Sequence, residues 1–132
     1  MRINVKGPSP YEETVGFSRA VRVGDIVYVS GTAPIGEDRI TCCPGDAYGQ
    51  AMRCFEIIEK ALKDAGSCLE DVVRTRMYIT HRTSCGPVCK AHAEVFGKIR
   101  PAASMVVVTK LLEDDWLVEI EAEAVVGSGS QS

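Results

Sequence analysis

Short runs of alternating apolar and polar residues recur along the chain, and this period of two predicts half-buried β-strands. Five such runs cover residues 15–24, 25–31, 71–80, 103–111 and 116–126. Gly24-Asp25, where the first two runs meet, is typical of a hairpin turn. We therefore expect these five strands to share a sheet.

Two other segments have the spacing of helices that are apolar on one side. In the longer one, Asp46 can cap the start, Gly66 can end the helix, and apolar residues recur at Ala47, Ala51, Cys54, Ile58, Ala61 and Ala65. The shorter helix covers residues 86–97, with Pro87 tolerated in its first turn. The order of elements predicts an α/β layer in which two helices cover one face of a mixed sheet. The other face would stay bare, so we expect the chain to form an oligomer.

The last predicted strand carries a row of like charges, which repel one another. Glu119, Glu121 and Glu123 occupy alternate positions, so an extended chain places all three carboxylates on one face. Arg74 and Arg76 have the same period on another predicted strand, and cross-strand ion pairs are one explanation. The other explanation is that one glutamate lies in a cleft, where partial burial raises its pKa enough to handle a proton or a water.

Length and composition are those of one soluble globular domain. Of 132 residues, 45% are hydrophobic and 25% charged, and no apolar run approaches the ~20 residues of a transmembrane helix. We expect a single domain over residues 1–126 and a flexible tail over 127–132. The net charge of -3 argues against nucleic acid as the main partner. The first residues lack the apolar core of a signal peptide, so we expect a cytoplasmic protein with reduced cysteines.

The sequence contains few recognisable site motifs. It has no Walker, Rossmann or Gly-x-Ser-x-Gly sequence, so we expect no cofactor and no catalytic triad. His81, Cys85, Cys89 and His92 have a spacing at which zinc ligands occur. Because Pro87 places the start of the helix near itself, the first two would lie outside its regular face. We therefore expect ordinary thiols and no bound metal.

Six segments together resemble the reactive-intermediate (imine or enamine) deaminase family, which is also called the YjgF or liver perchloric-acid-soluble protein (endoribonuclease L-PSP) family. In chain order they read VYVSGTAP, LKDAG, DVVRTRMYIT, HAEVFG, RPAASM and VEIEAEAV, and the resemblance covers residues 12–126. It implies a chorismate-mutase-like fold, with a six-stranded mixed sheet and two helices on one face. It also implies a homotrimer with three clefts between subunits.

The resemblance implies roles for individual residues. In the deaminase branch, an arginine in a Pro-Ala-Arg-Ser motif grips the carboxylate of a 2-imino acid, and a glutamate in a Glu-Ile-Glu-Ala motif positions the hydrolytic water. Glu119 matches that glutamate and would be the catalytic residue, while Ser30 and Gly31 match the pocket wall. Ala103 stands in the place of the arginine. The chain therefore resembles a branch that lacks the carboxylate-binding arginine.

The remaining substrate-binding candidates also depart from the family pattern or are undecided. Phe17 stands at a pocket tyrosine, Cys89 at an asparagine and Met105 at a cysteine. Either Arg19 or Arg76 could restore a cation in the cleft. From its residues alone, Ser30 could equally satisfy a turn or hold a small polar ligand.

Three functions compete. The first is hydrolysis of a C=N bond in a small imine or enamine, with poor activity on ordinary 2-imino acids because of Ala103. The second is binding of a small carbonyl, imine or carboxylate metabolite in the intersubunit clefts without turnover. The third is endoribonuclease activity, against which the acidic charge balance and the lack of a basic, aromatic-lined groove argue.

Overall fold

A computed structural model describes residues 1–130 as one six-stranded mixed sheet with two helices. The strands are β1 (Arg2–Val5), β2 (Ala20–Val23), β3 (Ile26–Thr32), β4 (Val72–Ile79), β5 (Ala102–Val107) and β6 (Val118–Val125). The helices are α1 (Ala47–Asp64) and α2 (Cys85–Phe96). The predicted fold class and sheet are thereby confirmed.

The last strand of the chain lies in the middle of the sheet, whose spatial order is β1-β2-β3-β6-β4-β5. Strand β6 pairs with β3 on one side and with β4 on the other, antiparallel to both. Only the β4–β5 pair is parallel, and α2 makes the crossover between those two strands. Residues far apart in sequence therefore meet around β6.

One face of the sheet packs against both helices. Side chains of β6 alternate strictly, and those at Val118, Ile120, Ala122 and Ala124 are buried in the core. Helix α1 begins where predicted, because the Asp46 carboxylate accepts the amide of Gly49 at 3.0 Å. Beyond its end, Gly66 adopts a left-handed φ of 84°.

Two predicted elements at the N-terminal end differ from the structure. The strand expected from residue 15 begins only at Ala20, and residues 12–16 form a short π-helical turn instead. This turn is fixed by the Glu12 carboxylate, which accepts the amides of Gly7 and Ser9. Strand β1 was not predicted, because Arg2–Val5 is a four-residue edge strand with only two apolar side chains.

The C-terminal end is more ordered than predicted over the part that the structure describes. Residues Ser128–Ser130 form a 3-10 turn. The Asp71 carboxylate accepts the Gly129 amide at 3.0 Å, and the Ser128 hydroxyl donates to the Asp71 carbonyl. Residues 131 and 132, which belong to the predicted flexible tail, lie outside the described residues.

Candidate functional site

Glu119 lies in a cavity of about 120 Å³ between β6 and the segment that leads into β2. The wall around it is largely apolar, with side chains from the N-terminal segment, the loop after β3 and the loop before β6. The main apolar contributors are Phe17, Ala33, Ile35, Leu112 and Trp116. A single carboxylate in such surroundings is a candidate for binding or proton transfer.

Strand β3 brings its backbone close to the Glu119 side chain. The register between β3 and β6 shifts between Val29 and Thr32, where β3 bulges. Gly31 lies in this bulge, and a side chain there would collide with the Glu119 carboxylate. Any side chain at this position would therefore force the Glu119 carboxylate to move.

A buried glutamine fixes the chain just before Glu119. The Gln50 side chain on α1 donates to the carbonyl of Asp115 at 2.8 Å and accepts the amide of Leu117 at 2.8 Å. Between these two bonds, the Trp116 indole donates to the Thr41 hydroxyl at 3.1 Å. Helix α1 thus sets the position of the cavity wall and of the start of β6.

The Glu119 carboxylate has no hydrogen bond or ion pair with any residue from 1 to 130, and only longer-range charges act on it. Burial raises the pKa of the Glu119 carboxyl, and the charge of Glu121 adds to that effect. The positive charge of Arg19 opposes it but does not cancel it. Glu119 therefore accepts a proton more readily than an ordinary glutamate.

Arg19 is almost completely buried beside Glu119, and its guanidinium already has protein partners. Its Nη1 donates to the Gly31 carbonyl at 2.7 Å and to the Thr32 hydroxyl at 3.1 Å. Its Nε lies 3.5 Å from a Glu12 carboxylate oxygen, which is an ion-pair distance rather than a hydrogen bond. Burial lowers the pKa of Arg19 and the charges of Glu12 and Glu119 raise it. The group remains a cation whose main role is to hold β2 and the bulge of β3 together.

The other two glutamates of the row form a cross-strand network, which involves Arg76 as predicted but not Arg74, whose guanidinium donates to the Ser104 hydroxyl at 2.9 Å. Glu123 accepts a hydrogen bond from Arg76 at 2.8 Å, and Glu121 accepts one from the Tyr78 hydroxyl at 2.9 Å. Arg76 also lies 4.0 Å from Glu121. Both explanations of the row therefore apply. Glu121 and Glu123 form cross-strand pairs, whereas Glu119 lies in a cavity.

The predicted site residues fall into two groups. Phe17, Arg19, Gly31 and Glu119 line the same cavity. Ser30 lies next to it, but its hydroxyl donates to the Ser18 carbonyl at 2.6 Å. Within one subunit the remaining candidates, Arg76, Cys89, Ala103 and Met105, are not among the residues that line this cavity.

The register of β5 explains why Ala103 and Met105 lie apart from Glu119. They pair with Thr75 and Met77 of β4, on the side of the sheet that carries the helices. Glu119 pairs with Tyr78, which points to the opposite side. A site that combines Ala103 with Glu119 would need a second copy of the chain.

The predicted zinc spacing does not produce a cluster in the part of the chain that the structure describes. No group of three or more His, Cys, Asp or Glu side chains in residues 1–130 is placed to hold a metal ion. Cys85 and Cys89 are both exposed, with sulfur atoms 3.8 Å apart. The Nε2 of His92 lies 2.9 Å from the Thr75 hydroxyl.

Several residues of the cavity were missed at the level of sequence. Tyr11 and Leu112 belong to loops, where no periodic pattern marks them. Trp116 stands at the start of the last predicted strand, but in the structure it precedes β6 and packs in a separate small cluster with Ala33 and Ile35. A lone tryptophan just before a strand is the one signal that could have drawn attention to this wall.

Comparisons with known proteins agree with this architecture. The model of the family described as Endoribonuclease L-PSP matches residues 9–126. An uncharacterised protein of Streptomyces coelicolor is 36% identical over 94% of this chain and 92% of its own length. A RutC family protein of Pyrococcus abyssi is 33% identical over 90% of this chain and 91% of its own length.

Solved structures give the same result. A Mycobacterium tuberculosis protein from the YjgF/YER057c/UK114 family superposes with a TM-score of 0.86 at 45% identity, covering 96% of this chain and all of the other. A Thermotoga maritima protein described as a putative endoribonuclease has a TM-score of 0.84 at 32% identity, covering 95% of this chain and 98% of the other. None of the helices described here is long and apolar enough to cross a membrane.

Proposed function

Because the chain belongs to the endoribonuclease L-PSP family, which includes the YjgF, RutC and UK114 proteins, we propose that it binds a small carbonyl, imine or carboxylate metabolite beside Glu119 and hydrolyses a C=N bond there. The observation that carries this proposal is the unpaired, partly buried Glu119 carboxylate in an apolar cavity. Its raised pKa suits a general base.

The reaction needs one group that can take a proton and return it. Glu119 accepts a proton from water as the oxygen attacks the imine carbon. It then gives this proton to the nitrogen, which forms a carbinolamine. Glu119 next takes the hydroxyl proton of the carbinolamine and passes it to the nitrogen, so that the C–N bond breaks and the products are a carbonyl compound and ammonia or an amine. Glu119 ends ionised, as it began.

We further propose that the working form is a homotrimer and that each site lies in a cleft between two subunits. In such a cleft, a second copy of the chain would add Cys89, Ala103 and Met105 to the wall around Glu119. Ala103 supplies neither charge nor orientation to a substrate carboxylate, which a bidentate arginine would. Ordinary 2-imino acids are therefore poor substrates.

The test is the steady-state hydrolysis of 2-imino acids by the wild type and two variants. Loss of one charge-assisted hydrogen bond costs about 1.5–3 kcal/mol, so Ala103→Arg should raise kcat/KM by about ten- to a hundredfold. Glu119→Gln should abolish turnover and thereby controls for contaminating enzymes. Full activity in Glu119→Gln would refute the role of Glu119.

Binding without turnover is a second candidate, and one observation favours it. The groups next to Glu119 that could stabilise a developing charge are already engaged, since the Ser30 hydroxyl bonds to Ser18 and Arg19 bonds to Gly31. A wild-type protein that binds imines but leaves their spontaneous hydrolysis unchanged would establish this function. A ribonuclease is not proposed, because the net charge of -3 argues against nucleic acid as the main partner.

A further inference from the structure

The polar groups around the Glu119 cavity differ in what they have left to offer a ligand. The Trp116 indole N–H is bonded to Thr41, and the Tyr11 hydroxyl is bonded to Glu113. The Arg19 Nη1 is bonded to Gly31 and Thr32. The Arg19 Nε also lacks a hydrogen bond, but it is fully buried and lies 3.5 Å from a Glu12 carboxylate oxygen. Glu119 is thus the group in this wall that has neither a hydrogen bond nor an ion pair in residues 1–130. It is an acceptor that only a ligand or water can satisfy.

The charge balance of the cavity is also unfavourable for an anion. The single cation in its wall, Arg19, forms an ion pair with Glu12 at 3.5 Å and feels the charge of Glu119 as well. Arg76 does not add a second cation, because it is held by Glu123 at 2.8 Å. Two carboxylates therefore share one guanidinium.

A second subunit would not change this balance with the residues proposed for the cleft. Cys89, Ala103 and Met105 are apolar side chains or a thiol, and burial raises the pKa of Cys89, which keeps that thiol protonated at neutral pH. None of them can pair with a carboxylate. A ligand that carries one would meet Glu119 without a free cation.

Resting on the proposed function, we propose that this site takes small protonated imines or amines that have no carboxylate. The positive N–H group pairs with Glu119, and the apolar remainder packs against Phe17, Leu112 and Trp116. The Trp116 ring also favours a cation, whereas the Phe17 ring already has the Arg19 guanidinium 5.3 Å from its centroid. Ligands of this class match the cavity in charge and polarity, because the cavity offers one unpaired carboxylate and an apolar wall.

The experiment compares pyrrolidine with proline, because the two cyclic amines differ only by the carboxylate group. The chain has a single tryptophan, Trp116, and it lines the cavity, so tryptophan fluorescence reports binding directly. We expect saturable binding of pyrrolidine at neutral pH and at least tenfold weaker binding of proline. Lowering the pH until Glu119 is protonated should release the pyrrolidine.

Two variants assign the binding to a residue. Glu119→Gln should weaken pyrrolidine binding at least tenfold. Glu123→Gln removes a carboxylate from the same face of the same strand and should leave the affinity within about twofold, because Glu123 lies outside the cavity. Circular dichroism would confirm that both variants are folded.

The outcomes of this experiment test the proposed class of ligand independently of the proposed hydrolytic function. The proposal that the ligand is a cation without a carboxylate is wrong if proline binds as tightly as pyrrolidine. It is also wrong if pyrrolidine binding is unchanged in Glu119→Gln. No binding of pyrrolidine at millimolar concentration overturns it as well. If proline binds through Glu119, or if 2-imino acids are hydrolysed rapidly, the proposed function stands while the class of ligand is wrong.

Discussion

At the scale of single residues, Glu119 has a cost for the fold. The site keeps a carboxylate without a hydrogen bond in partly apolar surroundings, and in the unfolded chain the same group is fully hydrated. A buried group with this property is commonly retained for function at the expense of stability.

The first prediction follows from the sign of that effect. Since the pKa of Glu119 is raised in the folded state, its proton stabilises the fold below the unfolded pKa of about 4.3, and this contribution is lost as pH rises through the folded pKa. Glu119→Gln should therefore be more stable than the wild type at pH 7 and equal to it near pH 3.5. Urea unfolding at both pH values measures this.

The control for this prediction is Glu123→Gln, which breaks the ion pair with Arg76 at a partly exposed position. It should be neutral or destabilising by less than about 1 kcal/mol at pH 7. Glu119→Gln destabilising the protein at pH 7 would show that the carboxylate has a structural partner.

His92 gives a second prediction with the opposite pH dependence. It packs between Phe55 and Phe96, and burial lowers the pKa of its imidazole. The neutral form is favoured in the fold, so its contribution to stability is complete above the unfolded pKa of about 6.5 and is lost as pH falls through the folded pKa.

Replacing His92 should remove this loss. We expect His92→Gln to lower stability at pH 7.5 but to flatten the decline between about pH 6.5 and 5. The only other histidine, His81, is exposed, and His81→Gln should keep the wild-type slope. Urea midpoints measured across this range decide the matter, and an unchanged slope in His92→Gln would contradict the assignment.

At the scale of elements, the start of α1 matters for the cavity because Gln50 lies in its first turns. Asp46 caps this end through the Gly49 amide. Asp46→Ala should cost about 1 kcal/mol, as loss of an N-cap typically does. Asp64→Ala, at the exposed far end of the helix, should be close to neutral, because loss of the exposed ion pair with Lys60 at 2.7 Å is offset by removal of a negative charge near the helix C-terminus. Chemical denaturation distinguishes the two variants.

The helices and strands that were predicted correctly are those in which apolar residues recur at regular spacing. Helix α1 and strand β6 were predicted well because each buries one face against the core, and the pattern of apolar residues records that burial. Strand β1 has too few buried positions to leave such a pattern. The turn at residues 12–16 depends on hydrogen bonds of Glu12 to backbone amides, which no period reveals.

The same reasoning applies to the candidate site. The row of glutamates drew attention to β6 as the position of a possible site. The alternating pattern alone, however, does not distinguish Glu119 from Glu121 and Glu123. Their different surroundings come from neighbours that are distant in sequence, namely Gly31 beside Glu119 and Arg76 beside Glu123. Sequence could not separate them without the resemblance to a family.

At the scale of the whole molecule, the sheet face opposite the helices retains exposed apolar side chains. Ile26, Tyr28 and Val106 are each more than 40% exposed there in the single chain. A protein of this size would cover them by association. We expect the proposed trimer to cover them.

The trimer gives the last prediction. Light scattering should show three chains per particle for the wild type, and Tyr28→Asp should dissociate it by placing a charge in the contact. Ile40→Asp provides a control, since Ile40 is an exposed loop residue that belongs to none of the strands. A stable wild-type monomer at micromolar concentration would remove the intersubunit clefts.

The place of β6 in the sheet also has a consequence for how the protein is made. Strands β3 and β4 each pair with β6, and no direct ladder joins them, so the two halves of the sheet stay separate until residues 118–125 are available. Because chains are synthesised from the N-terminus, those residues leave the ribosome after the other five strands. The two halves of the sheet therefore remain unpaired in the nascent chain until β6 is synthesised. We expect a chain truncated before β6 to be degraded by proteases rather than to function as a smaller protein.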